Sequence, residues 1–532
     1  MKKIISLFLS VVMVLAVMTP AVTAVNDKTV TIYVEGYGAS LVGKSGQPAF
    51  PVDLGLVDKL KSMLYDLLKN LAFAEITGDY SAYSQQLYDL IAPAYADLRL
   101  DSNGESTDLN GNFYYGLGYN SAERIDYSNN KSFTGGYYLF RYDWRLSCEY
   151  NAQQLDRYIE NVIADSGATK VNLIGRCLGG NIVSAYLQNA SAESLARINK
   201  VILYIASALG VDFISALFSG KVVLDPDAVD NYVTYSLADN DILGGAGEGE
   251  MFQSLITIVN FINEIYVLGY GTEVVERIVD AVRTDALARI LRDTYASFPS
   301  FWAMVAAEDV EDAIAFIYNT PELQKEYEGM IRKIRSFHQN VQLNAKNRLA
   351  ELDAAGKDIM VISKYNYADF PLSAKAAQQS DGTAATSVTS FGATVAPFGK
   401  TLDEKYINAM NKNDKKYLSA DNMIDASTCV LPETTWFIKN LYHSNFPESV
   451  DRLMNAFLTS DGMTVESEDY PQYLIYSKET GDISPVTGLD EGDIVDKDSL
   501  KSKTSLFIKI INMMIEFLKK IFRGEIKLSA LL

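Results

Sequence analysis

The chain has 532 residues, 48% of them hydrophobic, and carries 67 acidic against 47 basic side chains, a formal net charge of −20. That length exceeds one ordinary domain but suits a single α/β core enlarged by an insertion, and the apolar content is enough to fill such a core. The acidic balance, with no basic cluster interleaved with aromatics, excludes nucleic acid as a partner and mainly favours solubility.

At the N-terminus Lys2 and Lys3 precede an apolar run over 4–17, followed by Thr19-Pro20 and the small-residue sequence Val22-Thr23-Ala24. This is the layout of a secretory signal over 1–24, cleaved after Ala24. An uncleaved anchor is the competing reading, because the run is near the shortest that spans a bilayer. The chain is therefore expected to be exported, and its only thiols are Cys148, Cys177 and Cys429. Three cysteines do not make a disulfide scaffold; a Cys148–Cys429 bridge that leaves Cys177 free also fits the count.

Residues 29–34 read as a β-branched strand that stops at the glycine turn Glu35-Gly36-Tyr37-Gly38. Helical patterns follow over about 57–71 and 80–95. The stretch Asp101-Ser102-Asn103-Gly104-Glu105 resembles a calcium loop only superficially: Ser106 stands at the sixth position and no bidentate acid follows at the twelfth, so it reads as a solvated loop. Residues 137–145 form a strand ending in Tyr142-Asp143-Trp144-Arg145, and a helix over about 151–166 leads into the most informative stretch.

There the apolar strand Val171-Asn172-Leu173-Ile174 breaks at Gly175-Arg176-Cys177-Leu178-Gly179-Gly180 and becomes helical from Asn181. This is a nucleophile elbow with sulfur where serine usually sits. The turn forces its central residue into a strained conformation that only small neighbours such as Gly175 and Gly179 permit. Cys177 would stand above the sheet at a helix N-terminus, where the dipole and free N–H groups favour thiolate, and the N–H of Leu178 would point at a developing oxyanion. The N–H of Tyr37, in the turn after the first strand, is the expected second oxyanion donor. The competing reading of Cys177 is a buried cysteine in a tight strand-to-helix turn.

A further strand over 200–206 follows the elbow helix, and these four strands are expected to be sheet neighbours with site residues at their carboxyl ends. From about 210 to 349 the pattern turns helical, with segments at 252–266, 274–295 and 321–353 and glycine breaks at 244–247 and 269–271. An insertion between central strands is where a cap would cover the site and sort substrates; a separate helical domain is the alternative. The sheet resumes at 358–365 and 435–440.

A thiol nucleophile needs a base, and the chain has two histidines. His338 lies in the charged helical run Arg332-Lys333-Ile334-Arg335-Ser336-Phe337 and reads as a solvated cap residue. His443 follows the last of these strands, where the order nucleophile, acid, histidine puts the general base. For the acid, Asp381 in Ser380-Asp381-Gly382-Thr383 could orient the histidine ring; Asp421, in Asp421-Asn422-Met423, is a competitor of similar local shape.

Glu35-Gly36-Tyr37-Gly38, Tyr142-Asp143-Trp144-Arg145, the elbow, Phe298-Pro299-Ser300-Phe301-Trp302 and Ser380-Asp381-Gly382-Thr383 together resemble the lecithin:cholesterol acyltransferase and lipase branch of the α/β-hydrolases. They occur in that family's order, as the oxyanion turn, a strand-end signature, the nucleophile, a cap segment and the acidic loop. The resemblance implies acyl-ester chemistry on lipids and favours Asp381, since the family's acid lies in an Asp-Gly-Thr loop. The chain departs from the family's pattern in three places: Cys177 replaces its serine, Arg176 its usual histidine, and Glu35 its usual proline or histidine.

After the acidic Asp490-Glu491-Gly492-Asp493, residues 506–522 form an amphipathic pattern with Lys509, Lys519 and Lys520 on the polar face. Such a helix either lies on a membrane or lipid surface or docks on the protein's own core. The sequence as a whole reads as an α/β-hydrolase fold with an inserted helical cap. Its parts are a signal peptide (1–24), a first core segment (25–209), the cap (210–353), a second core segment (354–480), and an acidic linker with the C-terminal helix (481–532). The expected function is a secreted, cofactor- and metal-independent lipase-, esterase- or acyltransferase-like enzyme acting through Cys177, His443 and Asp381. A non-catalytic protein of the same fold that binds lipid or a surface partner is the alternative.

Overall fold

The computed structural model describes residues 28–37, 78–96, 98–106, 125–223, 280–490 and 492–494, with short pieces at 41–43, 48–50, 113–114, 228 and 231–232 and scattered positions between 66 and 77. The expected leader, most of the 57–71 helix, the glycine breaks, the 252–266 helix and the tail helix at 506–522 lie outside the described residues.

Nine strands form one sheet. In chain order they are β1 (Thr29–Val34), β2 (Tyr127–Ser128), β3 (Tyr137–Phe140), β4 (Lys170–Arg176), β5 (Ile198–Tyr204), β6 (Asp358–Tyr365), β7 (Thr435–Lys439), β8 (Tyr473–Tyr476) and β9 (Ile483–Pro485). Across the sheet they run β9-β8-β7-β6-β5-β4-β1-β3-β2. All pairs from β8 to β3 are parallel, and β9 and β2 close the two edges antiparallel. The four strands expected to be neighbours are therefore neighbours.

The central strands are buried at almost every position because both faces are covered, as parallel sheets require. Side chains alternate: Ile32, Val34, Leu173, Val201 and Leu203 enter one core, and Tyr33, Ile174, Ile202 and Tyr204 enter the other. The first core is closed by α1 (Cys148–Ser166), α2 (Leu178–Asn189) and α3 (Asp212–Ser219), and by helices between 280 and 354. The second is closed by α4 (Glu448–Thr459) through Val450, Leu453, Met454 and Phe457. Burying each such aliphatic side chain contributes about 1.5–3 kcal/mol. The N-cap of α1 is Ser147, whose hydroxyl accepts the N–H of Tyr150 at 3.2 Å, and Gly167 ends the helix in the left-handed conformation.

Three expectations need correction. The strand expected over 137–145 ends at Phe140, and Tyr142-Asp143-Trp144-Arg145 is a buried turn. The helix expected over 321–353 is broken into Pro321–Glu326, Glu328–Phe337 and Ala345–Ala354, with a π-helical turn at His338–Gln342. His338 is not solvated: it is 3% exposed, with Nδ1 2.5 Å from Gln342 Oε1 and Nε2 3.0 Å from the carbonyl oxygen of Trp302. All three cysteines are free, with Cys148 in the first core and Cys429 in the second.

Candidate active site

Cys177 sits between the end of β4 and the start of α2 with φ 49° and ψ −121°. A non-glycine residue at positive φ costs about 1–3 kcal/mol and persists only where its surroundings hold it. Here its N–H donates to the carbonyl of Tyr204 at 3.0 Å, and its carbonyl accepts from Gly180 at 2.9 Å. The turn fits because its neighbours lack side chains. A Cβ on Gly179 would fall 2.3 Å from the carbonyl oxygens of Val34 and Glu35, and one on Gly36 would fall 3.0 Å from the Cβ of Cys177. The thiol is thus raised from the sheet, partly exposed, while Cys148 and Cys429 are buried.

His443 arrives from the turn after β7 and Asp381 from the loop after β6. The ring Nδ1 lies 2.7 Å from Asp381 Oδ2, and the two residues are also joined through the backbone, His443 N–H to Asp381 carbonyl at 2.8 Å. The other carboxylate oxygen accepts the N–H groups of Thr383 at 3.0 Å and Ala384 at 2.7 Å. Burial raises the Asp381 carboxyl, but the His443 ring, the Ala384 N–H and the Lys364 charge outweigh it and hold it below the usual carboxylate range. Burial disfavours a charged His443, yet the hydrogen-bonded Asp381 carboxylate and the nearby Cys177 sulfur push it well above the usual histidine range. With Nδ1 committed to the carboxylate, Nε2 is the nitrogen left for the sulfur.

Cys177, His443 and Asp381 are therefore brought together. Asp421 is directed elsewhere: it accepts from the Tyr365 hydroxyl at 2.9 Å and the Ser419 hydroxyl at 2.6 Å and pairs with the buried Lys439 at 3.2 Å. Leu178 is the first residue of α2, so its N–H has no acceptor within the helix, and Gly36 and Tyr37 line the cleft together with Cys177 and His443. Arg176 places its guanidinium 3.9 Å over the ring of Phe446.

The cleft over the sulfur holds about 660 Å³ of space, mouth included, with Val211, Phe213, Ile214, Phe301 and Met304 as its apolar wall. An apolar wall of this kind suits the hydrocarbon part of a substrate. Among the described residues there is no cluster of acidic, histidine or cysteine side chains that could hold a metal ion.

The sequence singled out Tyr142-Asp143-Trp144-Arg145 without giving it a role. In the fold Tyr142 donates its hydroxyl to the carbonyl of Glu35 at 2.7 Å, and Trp144 meets the Tyr37 ring edge-on at 4.8 Å, so the motif supports the turn at Glu35-Gly36-Tyr37. Asp143 and Arg145 form a buried bidentate pair at 3.0 and 2.9 Å, and Arg145 also donates to the carbonyl of Leu98 at 3.0 Å. Lys364 was passed over altogether.

Residues 106–226 match the family model for lecithin:cholesterol acyltransferase. The matched stretch is under a quarter of the chain; it includes the strand-end motif, α1, the elbow, β5 and α3, and ends before Asp381 and His443. No curated protein and no solved structure matches the chain.

Proposed function

From a chain of the lecithin:cholesterol acyltransferase- and lipase-like branch of the α/β-hydrolases, whose general business is transfer or hydrolysis of lipid acyl groups, we propose a cysteine-dependent acyl-ester hydrolase or acyltransferase. The observation that carries this reading is that Cys177 and His443 line one apolar cleft, with the His443 ring held by Asp381 at 2.7 Å. His443 removes the thiol proton and the sulfur attacks the ester carbonyl, while the N–H groups of Tyr37 and Leu178 hold the oxyanion. The intermediate collapses to a thioester as His443 returns the proton to the departing alcohol. Water or an acceptor alcohol, deprotonated in turn by His443, then attacks the thioester, giving the acid or a new ester and restoring the thiol.

The helices of 280–354 act as a cap in this reading, since Phe301 and Met304 line the cleft. The leader pattern at 1–24 supports export, and among the described residues no helix is long and apolar enough to cross a membrane. The basic, apolar pattern at 506–522 suits a helix lying on the lipid that supplies the substrate. A chain cut before Leu506 that still sediments with liposomes would remove that role.

The deciding experiment mixes intact protein with an activated ester and weighs it. One acyl mass, absent in Cys177→Ala, is expected. A wild-type protein that gains no mass yet binds vesicles is instead a lipid-binding member of the fold.

A further inference from the structure

Lys364, the penultimate residue of β6, is fully buried. An ammonium taken out of water costs several kcal/mol unless every donor finds a partner. Its three N–H groups meet three carbonyls of one turn, those of Tyr442 at 2.9 Å, His443 at 2.9 Å and Asn445 at 2.8 Å. The faces of Phe446 and Tyr204 lie 4.5 and 5.0 Å from the nitrogen.

The geometry points to Lys364 as a positioning residue that sets the aim of His443, an inference that rests on His443 being the base. One peptide unit joins Tyr442 to His443. Its carbonyl accepts from Lys364 at 2.9 Å, and its N–H donates to the Asp381 carbonyl at 2.8 Å, so the unit is gripped on opposite edges. The backbone carbonyl of Lys364 in turn accepts the hydroxyl of Thr386 at 2.9 Å, in the short helix after the acid loop. A single residue thereby ties the histidine turn and the acid-bearing segment to the same strand. An apolar side chain of equal length would fill the space but take the Lys364 donor from the His443 and Asn445 carbonyls and leave that of Tyr442 with the Asn445 N–H at 3.1 Å alone.

The test compares Lys364→Met and Lys364→Arg with wild type, using protein labelled at histidine. With only two histidines, His338→Gln assigns the spectrum. The readouts are the downfield Nδ1–H resonance of His443, acylation kinetics with an activated ester, and the melting temperature. Lys364→Met is expected to fold, lose the resonance, and acylate roughly 10- to 100-fold more slowly with little change in KM. Lys364→Arg, which keeps a cation and donors, should recover part of both. A methionine variant that keeps the resonance and the rate, or one whose melting temperature falls while the resonance stays, overturns the assignment. If the methionine variant does not fold, Lys364→Gln, which offers two donors and no charge, is judged on resonance and rate: both unchanged count against the clamp, and a weakened resonance with slowed acylation counts for it. A wild-type protein with the resonance but no acyl mass refutes the enzymatic reading alone, and the clamp then stands or falls on the resonance.

Discussion

His443 and Asp381 are joined twice, ring to carboxylate at 2.7 Å and backbone to backbone at 2.8 Å. The second bond fixes the distance between the two segments even when the first is broken. Asp381→Asn should therefore keep the fold and lose the charge that orients and stabilises the imidazolium, lowering acylation by roughly 100-fold or more. Asp421→Asn removes one of the three carboxylates around buried Lys439, so its effect should fall on the melting temperature instead. Ester turnover and thermal melts of both variants check this, and the reverse ranking would move the acid role to Asp421.

Iodoacetamide should label Cys177 well ahead of the other thiols. Burial pushes the Cys429 thiol up to about 12 and that of Cys148 higher still, so both stay protonated and covered. Peptide mapping by mass spectrometry reads the order directly. Labelling of Cys148 or Cys429 before Cys177 in folded protein is incompatible with the elbow.

Tyr142→Phe removes only the hydroxyl that holds the carbonyl of Glu35. The expected cost is about 1 kcal/mol of stability, with acylation slowed roughly tenfold as the Tyr37 N–H loses its aim. Denaturant titration beside burst kinetics separates the two effects. A variant with unchanged acylation would make the motif purely structural.

The two histidines should bend stability in opposite directions with pH. Burial holds His338 neutral, against the pull of Gln342 and Trp302, so its value in the fold is below the unfolded one of about 6.5. As pH falls through that unfolded value the unfolded chain binds the extra proton and stability drops. For His443 the folded value is raised, so its contribution is fully present below about 6.5 and is lost as pH rises through the folded value. Urea titrations from acid to alkaline pH should show His338→Gln flattening the acid limb and His443→Gln the alkaline limb. An acid limb unchanged in His338→Gln would contradict the assignment.

Cys177 was legible because its constraint is local: a strand, two glycines and a helix start within ten residues allow few other structures. His443 was legible from chain order alone. The choice between Asp381 and Asp421 was not, since both sit in short polar turns and differ only in what the fold brings to them, a histidine or Lys439. His338 was misread because the charges of Glu328–Phe337 mask an apolar stripe: Met330, Ile334 and Phe337 are buried, and His338, four positions after Ile334, continues the same face. Lys364 looked like a strand end because its partners lie 78 to 81 positions later.

Asp490 and Asp493, in the stretch expected to be an acidic linker, both reach Lys439 at the end of β7, at 3.2 and 2.5 Å, and Asp493 also accepts from Asn366 just beyond β6 at 3.0 Å. Lys28, at the other end of the described chain, accepts the N–H of Thr169 just before β4. The polypeptide therefore enters the sheet at its amino pole and leaves at its carboxyl pole, the one that bears the sulfur and the imidazole. A probe attached at Asp493 would report from beside the cleft, and one attached at Lys28 from the far end of the sheet.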